Sequence, residues 1–225
     1  MFRFDFRQGQ VSSPGAGGVL AMVSVHEAAH AVVGRFSGFQ IHLATIAPSR
    51  YFGGQVRASE VEPDSPEDIV ADASARCAQA LDLLPAPGES RDDIGPWLAH
   101  VQCRVIELVA GREGERIAGI ESNPETAATD FALARIYAAT ICLSAGAVAA
   151  FLDYCKIEAR ALLRAHWPSL QAVARALEEH QTLGGAEIDA IIFAAEADAA
   201  HEAEIRRRDR MVDMAENAQR FQDGQ

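Results

Sequence analysis

The chain has 225 residues, 49% of them hydrophobic and 23% charged, which is enough for one domain with a real core. Its formal net charge of −12 argues against a nucleic-acid surface, which needs a basic stripe. Cys77, Cys103, Cys142 and Cys155 form no Cys-x-x-Cys pair and read as buried, reduced thiols of a cytosolic protein.

In chain order, Met1 to Arg7 alternates Phe with Arg or Asp and predicts a short strand. Gln8 to Gly18 is a Gly/Ser/Pro connector, so residues 1–19 read as an N-terminal strand and linker. No basic region followed by an apolar run precedes it, which predicts a cytoplasmic protein without a signal peptide. A helix follows from about Met22 to Phe36, closed by Gly38. Ile41 to Ala47 and Tyr51 to Arg57 read as two short strands around the turn Pro48-Ser49-Arg50. Helices are expected over Glu67 to Leu84, Pro96 to Ala118, Asp130 to about Ala145, Val148 to Ala165, Pro168 to His180, and from Gly185 onward. The longest apolar stretch, Tyr137 to Leu152, reads as a buried core helix too short to span a bilayer, so no membrane partner is expected. The end of the chain is strongly charged from Glu202 to Arg210 and reads as a solvated helix and tail over 196–225. The fold expected is mainly α with a small β-ribbon.

Within the first helix stands Val25-His26-Glu27-Ala28-Ala29-His30-Ala31, a His-Glu-x-x-His pattern. Residues four apart share a helix face, so His26 and His30 project one above the other and can give one nitrogen each to a tetrahedral Zn²⁺. Glu27, beside the first ligand, can take a proton from water instead of binding the metal. A blander reading makes Ser24 to Glu27 a capping box, which would explain Glu27 but not the two histidines. A catalytic zinc takes three protein ligands and leaves one position open. The third must come from elsewhere; Glu107, Glu113, Glu115, Glu121, Glu125 and Asp130 are candidates that spacing does not separate, and Asp130 could instead cap its helix.

His26 to Gly34 resembles the zinc helix of the FtsH-type ATP-dependent metalloproteases. Ile41 to Val56, with Gly53-Gly54, is similar to the strand-turn-strand that follows it. Ala110-Gly111-Arg112-Glu113-Gly114-Glu115 resembles the family's Ala-Gly-Arg-x-x-Glu segment, and Ala128-Thr129-Asp130 falls where the family carries Ser-Asn-Asp. Glu158 to Leu163 and Leu177 to Ile188 resemble its C-terminal helices. The resemblance spans roughly residues 20–192, within a peptidase domain over 20–195. It implies an FtsH-peptidase-like helical domain in which His26, His30 and Asp130 hold Zn²⁺, Glu27 is the base, and Glu115 is a supporting partner behind the ligands. Gly53, Gly54, Gln55 and Val56 would hold an extended peptide.

The pattern also departs from the family. Ala29 replaces a Gly, Ala128-Thr129 replaces Ser-Asn, and 59–96 is longer, as an insertion would be. The family's ATPase module and membrane tether are not read in this sequence. The activity expected is ATP-independent cleavage of peptides or unfolded proteins, with a separate ATPase partner and the family's hexameric ring as further expectations. The alternative is a non-catalytic binding or regulatory module on the same fold.

Overall fold

The computed structural model describes residues 16–50, 53–57, 65–82, 84–85, 89–90, 94–120 and 127–222. The strand expected at residues 1–7 lies outside them, as do Glu121 and Glu125. Among the described residues there are helices α1 (Ala16–Phe36), α2 (Pro66–Asp82), α3 (Gly95–Ala118), α4 (Ala128–Ala139), α5 (Ala145–Ala165), α6 (Trp167–His180) and α7 (Gly185–Gln222), together with three short strands. The strands are β1 (Leu43–Thr45), β2 (Gln55–Arg57) and β3 (Thr182–Gly184). The fold is mainly α with a small β-sheet. None of the described helices is long and apolar enough to cross a membrane.

The core forms where α1 lies between α3 and α6. Ala28, Ala29, Val32 and Val33 of α1 are fully buried, as are Val101, Val105 and Ala110 of α3 and Val173 and Leu177 of α6. Burying one such Val or Leu contributes about 1.5–3 kcal/mol, so this contact fixes α1 before any polar group is considered. Ala is also the best helix former, which lets the segment between the histidines stay helical and thin enough for α3 to approach. Gly38, in left-handed backbone at φ 85°, turns the chain out of α1 toward the sheet, as its position predicts.

β1 is the middle strand and pairs antiparallel with both neighbours, Ala44 facing Val56 on one side and Leu183 on the other. β3 was not anticipated. It has three residues, too few for a period to show, and it exists because Gln181, at φ 62°, reverses the chain after α6 and lays Thr182–Gly184 against β1. The ribbon is therefore a three-stranded sheet with β2 at one edge.

Several boundaries move. α1 begins at Ala16, inside the expected connector, because adding residues to a formed helix costs far less than starting one. Of Tyr51–Arg57 only Gln55–Arg57 is strand; Gly53 and Gly54 precede it, and Tyr51 and Phe52 are outside the described residues. The apolar stretch Tyr137–Leu152 is not one buried helix. α4 ends at Ala139, Leu143 is 99% exposed, and Ser144 starts α5 by accepting a hydrogen bond from the Ala147 N–H at 3.2 Å. A local cap decides against apolar continuity there. Cys77 and Cys155 are buried and Cys103 and Cys142 only half-buried; all four are free thiols.

Candidate metal centre

His26 and His30 project from α1 toward α3 and α4, and both are buried. Their Nε2 atoms lie 3.1 Å apart. Asp130, in the first turn of α4, brings Oδ2 to 3.3 Å from His26 Nε2 and 3.5 Å from His30 Nε2. The N-cap of α4 is Ala127, where no side chain caps the helix, so Asp130 is not the cap that its sequence position allowed. Ser24 is not a cap either. It sits inside α1, fully buried, and its one hydroxyl proton is shared between the Ala21 carbonyl at 3.0 Å and Glu178 Oε1 at 2.9 Å.

The outer ring nitrogens settle which tautomers the two histidines hold. His30 Nδ1 lies 2.8 Å from the Glu107 carbonyl oxygen, which can only accept, so Nδ1 carries the proton. His26 Nδ1 lies 2.7 Å from Glu115 Oε1, a carboxylate that likewise accepts. With both Nδ1 atoms protonated, the neutral rings turn two Nε2 lone pairs toward each other and toward a carboxylate oxygen. Three electron-rich atoms at this spacing repel unless a cation or protons sit among them.

The donor set fits a metal ion. The three atoms lie within 4.8 Å of one another, and their separations of 3.1, 3.3 and 3.5 Å bracket the roughly 3.3 Å edge of a tetrahedron with bonds of about 2.0–2.1 Å. The buried cluster His26–His30–Asp130 can hold a metal ion. It opens into a cavity of about 150 Å³ that Glu27, Gly54, Gln55 and Val56 also line.

The electrostatics of the triangle itself say the same in another way. Burial presses His26 toward neutrality, but hydrogen bonds to Asp130 and Glu115 outweigh it and raise its pKa to about 9. His30 is likewise held down by burial and driven well above its ordinary value by the Asp130 charge and by Glu107. Burial alone would raise Asp130, yet the two imidazoles hold its carboxyl well below the usual range. The site attracts positive charge, and protons supply it where a metal does not. Glu27 differs: burial pushes it up to about 7 against the pull of both histidines. A carboxyl group near neutrality can both accept and return a proton at physiological pH.

The other sequence candidates sort themselves by partner. Glu115 is where a supporting residue was expected, with its Oε2 buried and without a hydrogen-bond partner among the described residues. Glu107 is no ligand; its backbone orients His30 and its side chain takes Arg104 at 2.6 Å. Glu113 is buried and accepts a hydrogen bond from Arg160 at 2.9 Å. Gly54, Gln55 and Val56 line the cavity, and Gly53 is not among the residues that do. Gly54 lies so near Glu27 that a Cβ there would come 2.6 Å from its Oε1.

Gly111 also stands at this cluster, although nothing in the spacing of the histidines points to it. A Cβ at 111 would lie 2.5 Å from His26 Nε2 and 2.6 Å from His30 Nε2, so only Gly lets α3 back the two ligand atoms this closely. The signal was present as the Gly of Ala110-Gly111-Arg112, but a helix glycine has no marked meaning until its neighbour across the interface is known. No protein-family model matches this chain, and no curated protein matches it.

Proposed function

We propose that this protein is a zinc-dependent endopeptidase of the FtsH-peptidase type, acting in the cytoplasm. The observation that carries the reading is the buried triangle of His26 Nε2, His30 Nε2 and Asp130 Oδ2 with Glu27 in the same cavity. Two imidazoles and one carboxylate, with a side left open, suit zinc better than the all-oxygen shells of Mg²⁺ or Ca²⁺. The same donors suit ferrous iron, but a buried carboxylate poised near neutrality beside them favours hydrolysis.

Bound zinc supplies Lewis acidity, which makes water a nucleophile near neutral pH and polarises a carbonyl. His26, His30 and Asp130 would hold it, and Glu115 and the Glu107 carbonyl would keep the rings in the required tautomer. Glu27 would take the proton from the attacking water and return it to the leaving amine. Edge strand β2, with Gln55 and Val56 in the cavity wall, offers backbone hydrogen bonds to an extended peptide or unfolded segment.

The test is Glu27→Gln, assayed on casein and on fluorogenic peptides beside the parent, with metal content measured for both. Zinc retained and cleavage lost by roughly a hundredfold or more is expected for a missing general base. Equal cleavage by parent and variant removes Glu27 from the mechanism. A parent that binds zinc and cleaves nothing favours the non-catalytic module.

A further inference from the structure

We propose that α7 joins two copies of this chain as an antiparallel helix pair. The inner face of its first turns, with Ile188 and Ile192, is buried against the domain. The opposite face stands in solvent, yet it is not polar: Phe193 is 77% exposed, Met211 56%, Met214 70% and Phe221 86%. These four fall on one heptad seam, spaced by three and four over the length of α7. Alanines 190, 197, 200 and 218 fill the remaining apolar positions of that seam, and Glu204 and Arg207 its middle.

The seam is complementary to its own reverse. Turned antiparallel about the point between Glu204 and Arg207, it sets Glu204 of each copy against Arg207 of the other. Moving outward, Ala200 meets Met211 and Ala197 meets Met214. Beyond them Phe193 meets Ala218, and Ala190 meets Phe221. Every large side chain faces an alanine, which is how a close-packed interface avoids both voids and clashes. In a parallel pair the same seam would place Phe193 against Phe193, Glu204 against Glu204 and Arg207 against Arg207.

Charge along the helix gives the same direction. Residues 185–204 carry six carboxylates and no Lys or Arg, whereas residues 205–222 carry five arginines and three carboxylates. An antiparallel pair sets the acidic half of each copy beside the arginine-rich half of the other; a parallel pair stacks like on like. The seam, about 45 Å long at 1.5 Å per residue, faces away from the domain, so a second helix can lie on it without displacing α6. The occupant that fits is a second copy of this chain.

The full-length protein tests this by sedimentation equilibrium over a concentration series, with far-UV circular dichroism on every variant. The parent should approach twice the 24.1 kDa chain mass. Glu204→Arg and Arg207→Glu should each weaken self-association by roughly a hundredfold, since like charges then meet at the centre. The double exchange should restore it, because the opposite charges are only swapped. Ala200→Cys mixed with Met211→Cys should form a disulfide between copies faster than either variant alone. Val212→Lys, off the seam, should change little. A parent that stays monomeric overturns the proposal, as does a double exchange that fails to recover with helicity intact. A larger oligomer indifferent to Glu204 and Arg207 overturns it as well.

Discussion

Around His26 and His30, the carboxyl groups of Glu27, Glu107 and Glu115 are buried among Val and Ala; along the outer part of α7, Glu204 and Arg206, Arg207 and Arg208 stand on a helix face that water reaches. In the first region Glu107 and Glu115 have Arg104 and His26 held at fixed distances, and removing one partner leaves a buried group unpaired at about 3–5 kcal/mol, whereas burial pushes Glu27 up to about 7. In the second, the i,i+3 and i,i+4 pairs contribute about 0.3–0.5 kcal/mol each and could be rearranged freely. The same residue types are therefore held by fixed partners in one place and, within a single chain, only loosely paired in the other. What α7 has that its ion pairs do not supply is the exposed apolar seam.

The contrast can be pushed hardest at Gly111. Gly111→Ala puts a methyl group onto both ligand nitrogens, and metal affinity should fall beyond the roughly 10–100-fold that loss of a supporting hydrogen bond costs. Metal content after dialysis reads this, with circular dichroism reporting the fold; an alanine variant that keeps full metal would refute the close approach.

Proton uptake comes next. In metal-free protein the folded-state pKa of His26 is about 9, above its ordinary 6.5, so its contribution is complete below pH 6.5 and lost as pH rises through 9. Glu27, raised from 4.5 to about 7, has the same sign, its contribution fading as pH rises through 7. Chelator-stripped protein should therefore lose stability between pH 5 and 9, by roughly 3 kcal/mol for His26 alone. Metal should restore it most at the alkaline end, where protons no longer compete. Thermal melts of stripped and reloaded protein check this; curves that coincide across that range would mean that the triangle is merely a hydrogen-bonded cluster.

Smaller again is Glu115→Gln, which keeps an acceptor for His26 Nδ1 but not its charge; metal affinity should drop roughly 10–100-fold by competition with a chelator. Smallest is Arg206→Ala on α7, which removes an exposed pair with Glu202 at 3.2 Å and should move stability by about 0.5 kcal/mol or less. A larger loss would mean that the outer part of α7 is not the solvated helix it is outside the seam.

His26, Glu27 and His30 were legible in the sequence because the spacing of four that aligns two imidazoles is a property of one helix and needs no neighbour. Mostly helical architecture was legible for the same reason, as were β1 and the end of α1 at Gly38. Asp130 could be reached only as one acid among six, since a ligand from another helix leaves no spacing to read. The division of labour among Glu107, Glu113 and Glu115 belonged to the tertiary structure, which turns one to Arg104, one to Arg160 and one to His26. It also decided β3, made by pairing across the chain, and the meaning of Gly111, which lies in the distance between α3 and α1. Local periodicity is written within a few residues; which distant groups meet is written only in how the buried faces pack.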